Sequence, residues 1–136
     1  PESGPMQWRL GVVALRAGDS ALAVKALTDA TRRTPDDAEA FVVLARAREA
    51  AGDGEGRIAA LRRAVELGTS ARAHDEWGQV LAASGDFAGA VVAFQRALAT
   101  DPGHAITWRH LAAAQTALGR LVDAEESLSH VPPPHR

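Results

Sequence analysis

Four glycines fall at nearly equal intervals along this chain. Gly18, Gly52, Gly85 and Gly119 stand in the stretches RAGDSALAV, AAGDGEGRI, ASGDFAGAV and ALGRLVDAE, separated by 34, 33 and 34 residues. A fixed period in that range marks an array of repeated supersecondary units, and it limits the fold before any other feature is considered. A single unit of that length cannot bury an apolar face by itself, so each must bury it against its neighbours.

Between the glycines, apolar residues recur at helical spacing. In the third unit Trp77, Gly78 and Leu81 follow His74 at steps of three, four and seven. Phe87, Ala90, Val91, Phe94, Ala97 and Leu98 continue the pattern after the Gly85-Asp86 turn. The first unit offers Leu10, Gly11 and Ala14, then Ala23, Val24, Leu27 and Ala30. The second offers Phe41, Leu44 and Ala45, then Ile58, Leu61, Ala64 and Val65; the fourth offers Trp108, Leu111 and Ala112, then Leu121, Ala124, Leu128 and Val131. Each unit is therefore predicted to be a helical hairpin. Glycine ends the first helix because it enters the left-handed region without a steric penalty. Pro35 and Pro102 end the second, and Asp36 or Asp37, and Asp101 or Gly103, are expected near the next helix starts. Gly11, Ala45, Gly78 and Ala112 on first helices, with Ala23, Ala90 and Ala124 on second helices, are read as holes. Leu27, Leu61, Phe94 and Leu128 are the matching knobs.

At this point the chain resembles the tetratricopeptide repeat family, whose pattern is W-x2-L-G-x2-Y, A-x3-F, A, P over 34 residues. The third unit matches through Trp77-Gly78, Leu81, Gly85-Asp86-Phe87, Ala90, Phe94, Ala97 and Asp101-Pro102. The fourth matches through Trp108, Leu111-Ala112, Gly119, Ala124 and Leu128. The resemblance covers roughly residues 4–131. It departs from the pattern at Arg48 and Gln115, where the family has tyrosine, at Arg57 in place of alanine, and at Thr69 in place of proline. The junction Leu67-Gly68-Thr69-Ser70 is one residue short. The resemblance implies an all-α, right-handed superhelical solenoid of four hairpins, about eight helices, over units 4–37, 38–70, 71–104 and 105–131. A single domain over 1–131 and a proline-rich tail over 132–136 follow from that reading.

Composition removes several alternatives. Fifteen basic against seventeen acidic residues give a formal net charge of -2 with no basic half, which argues against nucleic acid or an anionic membrane as partner. No apolar run approaches the roughly 20 residues that cross a bilayer, and a cytoplasmic location is expected. The chain has no cysteine, which removes disulfides, thiolate metal sites and cysteine nucleophiles. It begins at Pro1, which reads as a processed or excised start. The alanine- and arginine-rich usage suggests a bacterial source.

The search for chemistry finds little. GDGEGR at 52–57 has the glycines of a phosphate loop, but it joins two helices where such a loop follows a strand, so it is read as a turn. His74, His104, His110, His130 and His135 show no metal-ligand spacing, and no metal or cofactor is expected. Asp36-Asp37, Asp75-Glu76 and Glu125-Glu126 are adjacent pairs that diverge around a helix, read as solvated charge. The chain is expected not to be an enzyme.

First helices line the concave side of solenoids, so the groove is expected to hold a segment of a protein or peptide partner. Its candidate residues are Trp8, Arg9, Val12 and Arg16 in the first unit, and Glu39, Val42, Val43 and Arg46 in the second. Glu49 and Ile106 lie on the same helix faces. The third unit adds Arg72, Asp75, Glu76 and Gln79, and the fourth Arg109 and His110. Trp8, Val12, Val42 and Val43 together read as an apolar patch, the kind of surface that marks an interaction site. Trp8 has a second reading, as a cover for the open end of the first unit. The carboxylate clamp of chaperone-binding relatives needs lysine and asparagine donors where this chain has Trp8, Val12, Val43, Arg72 and Glu76. The register one unit on has Val42, Arg46, Glu76, Ile106 and His110, so the clamp is absent. After the fourth hairpin only VPPPHR follows, with no polar capping helix. Leu121, Leu128 and Val131 are therefore expected to leave apolar surface at that end, open to a partner or a second copy. Self-assembly through solenoid ends, or service as an accessory module of a larger enzyme, are the alternative functions.

Overall fold

The computed structural model describes residues 4–133. Pro1 to Ser3 of the start and residues 134–136 of the expected tail, including His135, lie outside the described residues. Among the described residues eight helices follow in order: α1 (Gly4–Arg16), α2 (Ser20–Arg33), α3 (Ala38–Ala50), α4 (Gly54–Leu67), α5 (Ala71–Ala83), α6 (Phe87–Thr100), α7 (Ala105–Ala117) and α8 (Leu121–Leu128). They gather into two compact units that divide between Ala73 and His74.

The helix boundaries have local causes. Gly18, Gly52, Gly85 and Gly119 all take φ between 77° and 90°, the left-handed turn that closes each first helix. Asp19, Asp53 and Asp86 directly follow three of these glycines and accept from the backbone N–H of Leu22, Gly56 and Gly89, so each turn also caps the next helix. α2 and α6 stop at Arg33 and Thr100, just ahead of Pro35 and Pro102. Where Thr69 replaces proline, Gly68 ends α4 in the left-handed conformation. Asp37 caps α3, as expected. At α7 the capping position belongs to His104, so neither Asp101 nor Gly103 holds it. The His104 ring is hydrogen-bonded to Thr107 Oγ1 at 2.8 Å.

In the first unit, α1 packs on α2, α2 on α3 and α3 on α4. A core of Ala38, Val42, Ala64 and the α5 residue Ala73 is flanked by Phe41, Val65 and Leu67. The expected knob at Leu27 presses on Gly11 so closely that a Cβ there would sit 2.4 Å from Leu27 Cγ. In the second unit the core is Ala90, Val91, Phe94, Leu98, Leu111 and Ala114, with Leu81, Ala82 and Trp108 against it. Phe94 fills the hole at Gly78 in the same way.

Two family departures find substitutes. Arg48, at the tyrosine position, donates through Nη1 to the Gly56 carbonyl at 2.9 Å, and its Cδ lies over Gly56. The small residue has thus moved one place ahead of Arg57, whose guanidinium reaches Glu49 at 3.3 Å. Gln115, the other tyrosine replacement, is buried and accepts from Ser127 Oγ at 2.7 Å, which ties α8 to α7. Several expected core positions are exposed. Leu10, Ile58, Leu121 and Leu128 all stay open to solvent, and Val131 lies beyond the end of α8.

Candidate functional site

The candidate residues divide by burial. Arg9, Arg16, Glu39, Arg46, Arg72, Gln79 and Arg109 are exposed, and Trp8, Val12, Glu76 and His110 are half-buried. Val42, Val43 and Asp75 are buried. Val42 belongs to the core with Ala38, Ala64 and Ala73, and Val43 is nearly covered. This corrects the expected apolar patch: helix α3 turns both valines into packing, so only Trp8 and Val12 of that set offer apolar surface. Val42→Asp would bury a carboxylate and disrupt the fold.

Asp75 is a second correction, because it is not solvated charge. It sits on α5 with Oδ2 accepting from Gln79 Nε2 at 2.8 Å, one turn along the same helix. His110 on α7 donates from Nδ1 to Asp75 Oδ1 at 2.9 Å. The structure thus joins three candidates, Asp75, Gln79 and His110, into one network. The His110 ring also lies 5.5 Å from Phe94, so it bridges this polar cluster and the core.

In the first unit, Glu39 on α3 accepts from Ser70 Oγ and pairs with Arg72 at 3.7 Å. Ser70 Oγ accepts in turn from the Ala73 amide at 3.1 Å, fixing the start of α5. No pattern in the sequence singled out Ser70; a serine just before a helix is the only trace it leaves. Of the remaining candidates, Arg9 and Arg16 on α1 and Arg109 on α7 are exposed, and Trp8 and Val12 on α1 are half-buried.

His74 is buried, and its Nδ1 has no hydrogen-bond partner among the described residues. Burial chiefly, and the nearby Arg96 guanidinium in addition, hold its imidazole below its ordinary 6.5. Trp108 stacks on His130 at 3.8 Å and donates from Nε1 to the Pro102 carbonyl at 2.8 Å. This stack borders a cleft of about 520 Å³ between α6, α7 and α8, also lined by Gln95, Arg120 and Glu126. Among the described residues no group of three His, Asp or Glu is placed to hold a metal ion. Among the described residues no helix is long and apolar enough to cross a membrane.

Two tetratricopeptide repeat models match the chain, one over residues 9–72 and one over residues 81–136. The chain belongs to the tetratricopeptide repeat family. Solved structures agree on the fold. The crystal structure of MamA superposes with a TM-score of 0.80 at 22% identity, over 93% of this chain and 75% of that one. MamA AMB-1 gives 0.74 at 19%, over 94% and 70%. MamA RS-1, as a double mutant, gives 0.78 at 18%, over 96% and 74%. At such identity the likeness establishes an all-α solenoid fold and nothing further. No curated protein matches the sequence. As a tetratricopeptide repeat chain it is a scaffold of the protein-interaction kind, in a family that is generally non-enzymatic.

Proposed function

We propose that this tetratricopeptide chain is an adaptor whose first-helix surfaces hold an acidic segment, extended or helical, of a protein partner. One observation carries the reading: the charges on these surfaces are unevenly engaged. Glu39 and Asp75 are turned toward partners within the chain, Ser70 and Arg72 for the one, Gln79 and His110 for the other. Arg9, Arg16 and Arg109 extend exposed guanidinium groups from α1 and α7. Arginine presents a planar fork matched to carboxylates, so a partner rich in Asp or Glu suits these faces. Trp8, half-buried on α1, supplies an apolar platform beside Arg9 and Val12. Binding here rests on preorganised helices and a few anchors, with no bond made or broken.

The test is a fluorescence anisotropy titration with a labelled glutamate-rich peptide at low and moderate salt. Arg9→Glu and Arg109→Glu, made separately, should each weaken binding by about tenfold, with added salt reducing the difference. Binding that is unaffected by both substitutions would remove these surfaces from the account.

A further inference from the structure

We propose that copies of this chain stack head to tail, the outer face of α1 in one copy covering the outer face of α8 in the next. The argument starts from register. Ala40, Leu44 and Ala47 on α3 are buried, on the helix that packs against α2. Thr107, Leu111 and Ala114 hold the same repeat positions on α7, also buried, on the helix that packs against α6. The same positions on α1 are Met6, Leu10 and Val13, and there they are 58%, 40% and 61% exposed. This first helix therefore presents the kind of surface that a preceding second helix covers elsewhere in the chain.

The complementary surface lies on α8. In the second unit, Val91, Phe94 and Leu98 of α6 cover Leu111 and Ala114 of α7. One period on, Leu128 stands in the register of Phe94 and Leu121 in that of Phe87. Leu121 and Leu128 are 62% and 50% exposed. Each end thus offers one half of an interface that the chain builds internally between α6 and α7.

Charge selects a second copy as the occupant and fixes the direction of stacking. Helix α1 carries Arg9 and Arg16 and no acidic residue, whereas α8 carries Asp123, Glu125 and Glu126 and no basic one. Glu125 takes the register of Val91, which sets an acidic group within the α8 face. Pairing α1 with α1, or α8 with α8, would oppose like charges; α1 with α8 matches them. A contact of this heterologous type grows into open chains or closes into rings.

The experiment uses sedimentation velocity on the 136-residue chain over about a hundredfold concentration range. Two variants accompany it, Val13→Glu on α1 and Leu121→Arg on α8. Both sites are largely exposed, so helicity by circular dichroism should match the parent. The expected result is an average mass that rises with concentration for the parent and stays monomeric for each variant alone. Mixing the two variants should give a one-to-one heterodimer, because each keeps the face that the other has lost. A parent that stays monomeric throughout overturns the proposal and leaves these faces to some other cover. Association that persists in either variant alone overturns it as well, in favour of a symmetric contact.

Discussion

Replacing Gly78 by alanine adds one methyl group at the point where α5 and α6 lie closest. The new Cβ would be 2.5 Å from Phe94 Cε1, 2.7 Å from Cδ1 and 2.9 Å from Cζ. Carbon atoms prefer about 3.5–4.0 Å, so the ring has to retreat by roughly 1 Å. It has little room to do so, because Phe94 is fully buried among Ala90, Val91, Leu98 and Leu111. Overpacking of this kind costs about 1–3 kcal/mol, and the better helix propensity of alanine offsets about 0.5–1 kcal/mol. A net loss of about 1–2 kcal/mol remains, which at a urea m-value near 2 kcal/mol/M lowers the midpoint by ~0.5–1 M. Gly54→Ala is the matched control. It makes the same chemical change at the first residue of α4, where nothing lies within 4 Å. That variant should be neutral or slightly more stable. Urea unfolding followed by circular dichroism reads both. A midpoint for Gly78→Ala at or above the parent's would refute the close-packing argument.

Three further outcomes follow from named contacts. Ala90→Leu overfills a fully buried site on α6 and should cost about 1–3 kcal/mol in the same urea assay. Ser127→Ala strips the buried Gln115 Oε1 of its donor and should cost about 1–3 kcal/mol, whereas loss of an exposed hydroxyl such as Ser84 should cost far less. Because burial holds the folded His74 imidazole below 6.5, the unfolded chain takes up that proton first as pH falls. Its stabilising effect is thus complete above about pH 6.5 and declines below it, toward the lowered folded value. His74→Leu should flatten the urea midpoint between about pH 7 and pH 5 relative to the parent, and an unchanged slope would contradict that assignment.

The hairpin plan was legible in the sequence because its determinants are local. Gly18, Gly52, Gly85 and Gly119 need a left-handed turn, and the aspartates after the first three cap the helices that follow. The knobs Leu27 and Phe94 were legible too, since each faces a glycine at a fixed offset within its own hairpin. Leu128 was misplaced by the same rule. It has the spacing of a knob, but burial of a second helix depends on what lies beyond it, and half of Leu128 stays exposed. The candidate site was less readable. Periodicity assigned Val42 to the groove, but the side of α3 that carries it turns into the core with Ala64 and Ala73. The Asp75–His110 and Glu39–Ser70 contacts join residues 35 and 31 apart, and no pattern of residue types announces such pairs. The surroundings of His74, His110 and His130 likewise depend on residues from other helices, which no spacing in the sequence announces.

The central claim is that the exposed arginines of the first helices are the surface that captures a protein partner. Affinity capture from a lysate tests it most directly with three baits: the parent chain, an Arg9→Glu, Arg109→Glu variant, and a Lys25→Glu control on the second helix α2. The account predicts that a protein retained by the parent is retained equally by the Lys25→Glu control and is lost from the arginine variant. A partner that stays on the arginine variant and leaves the Lys25→Glu control would place recognition on the second helices and contradict the account.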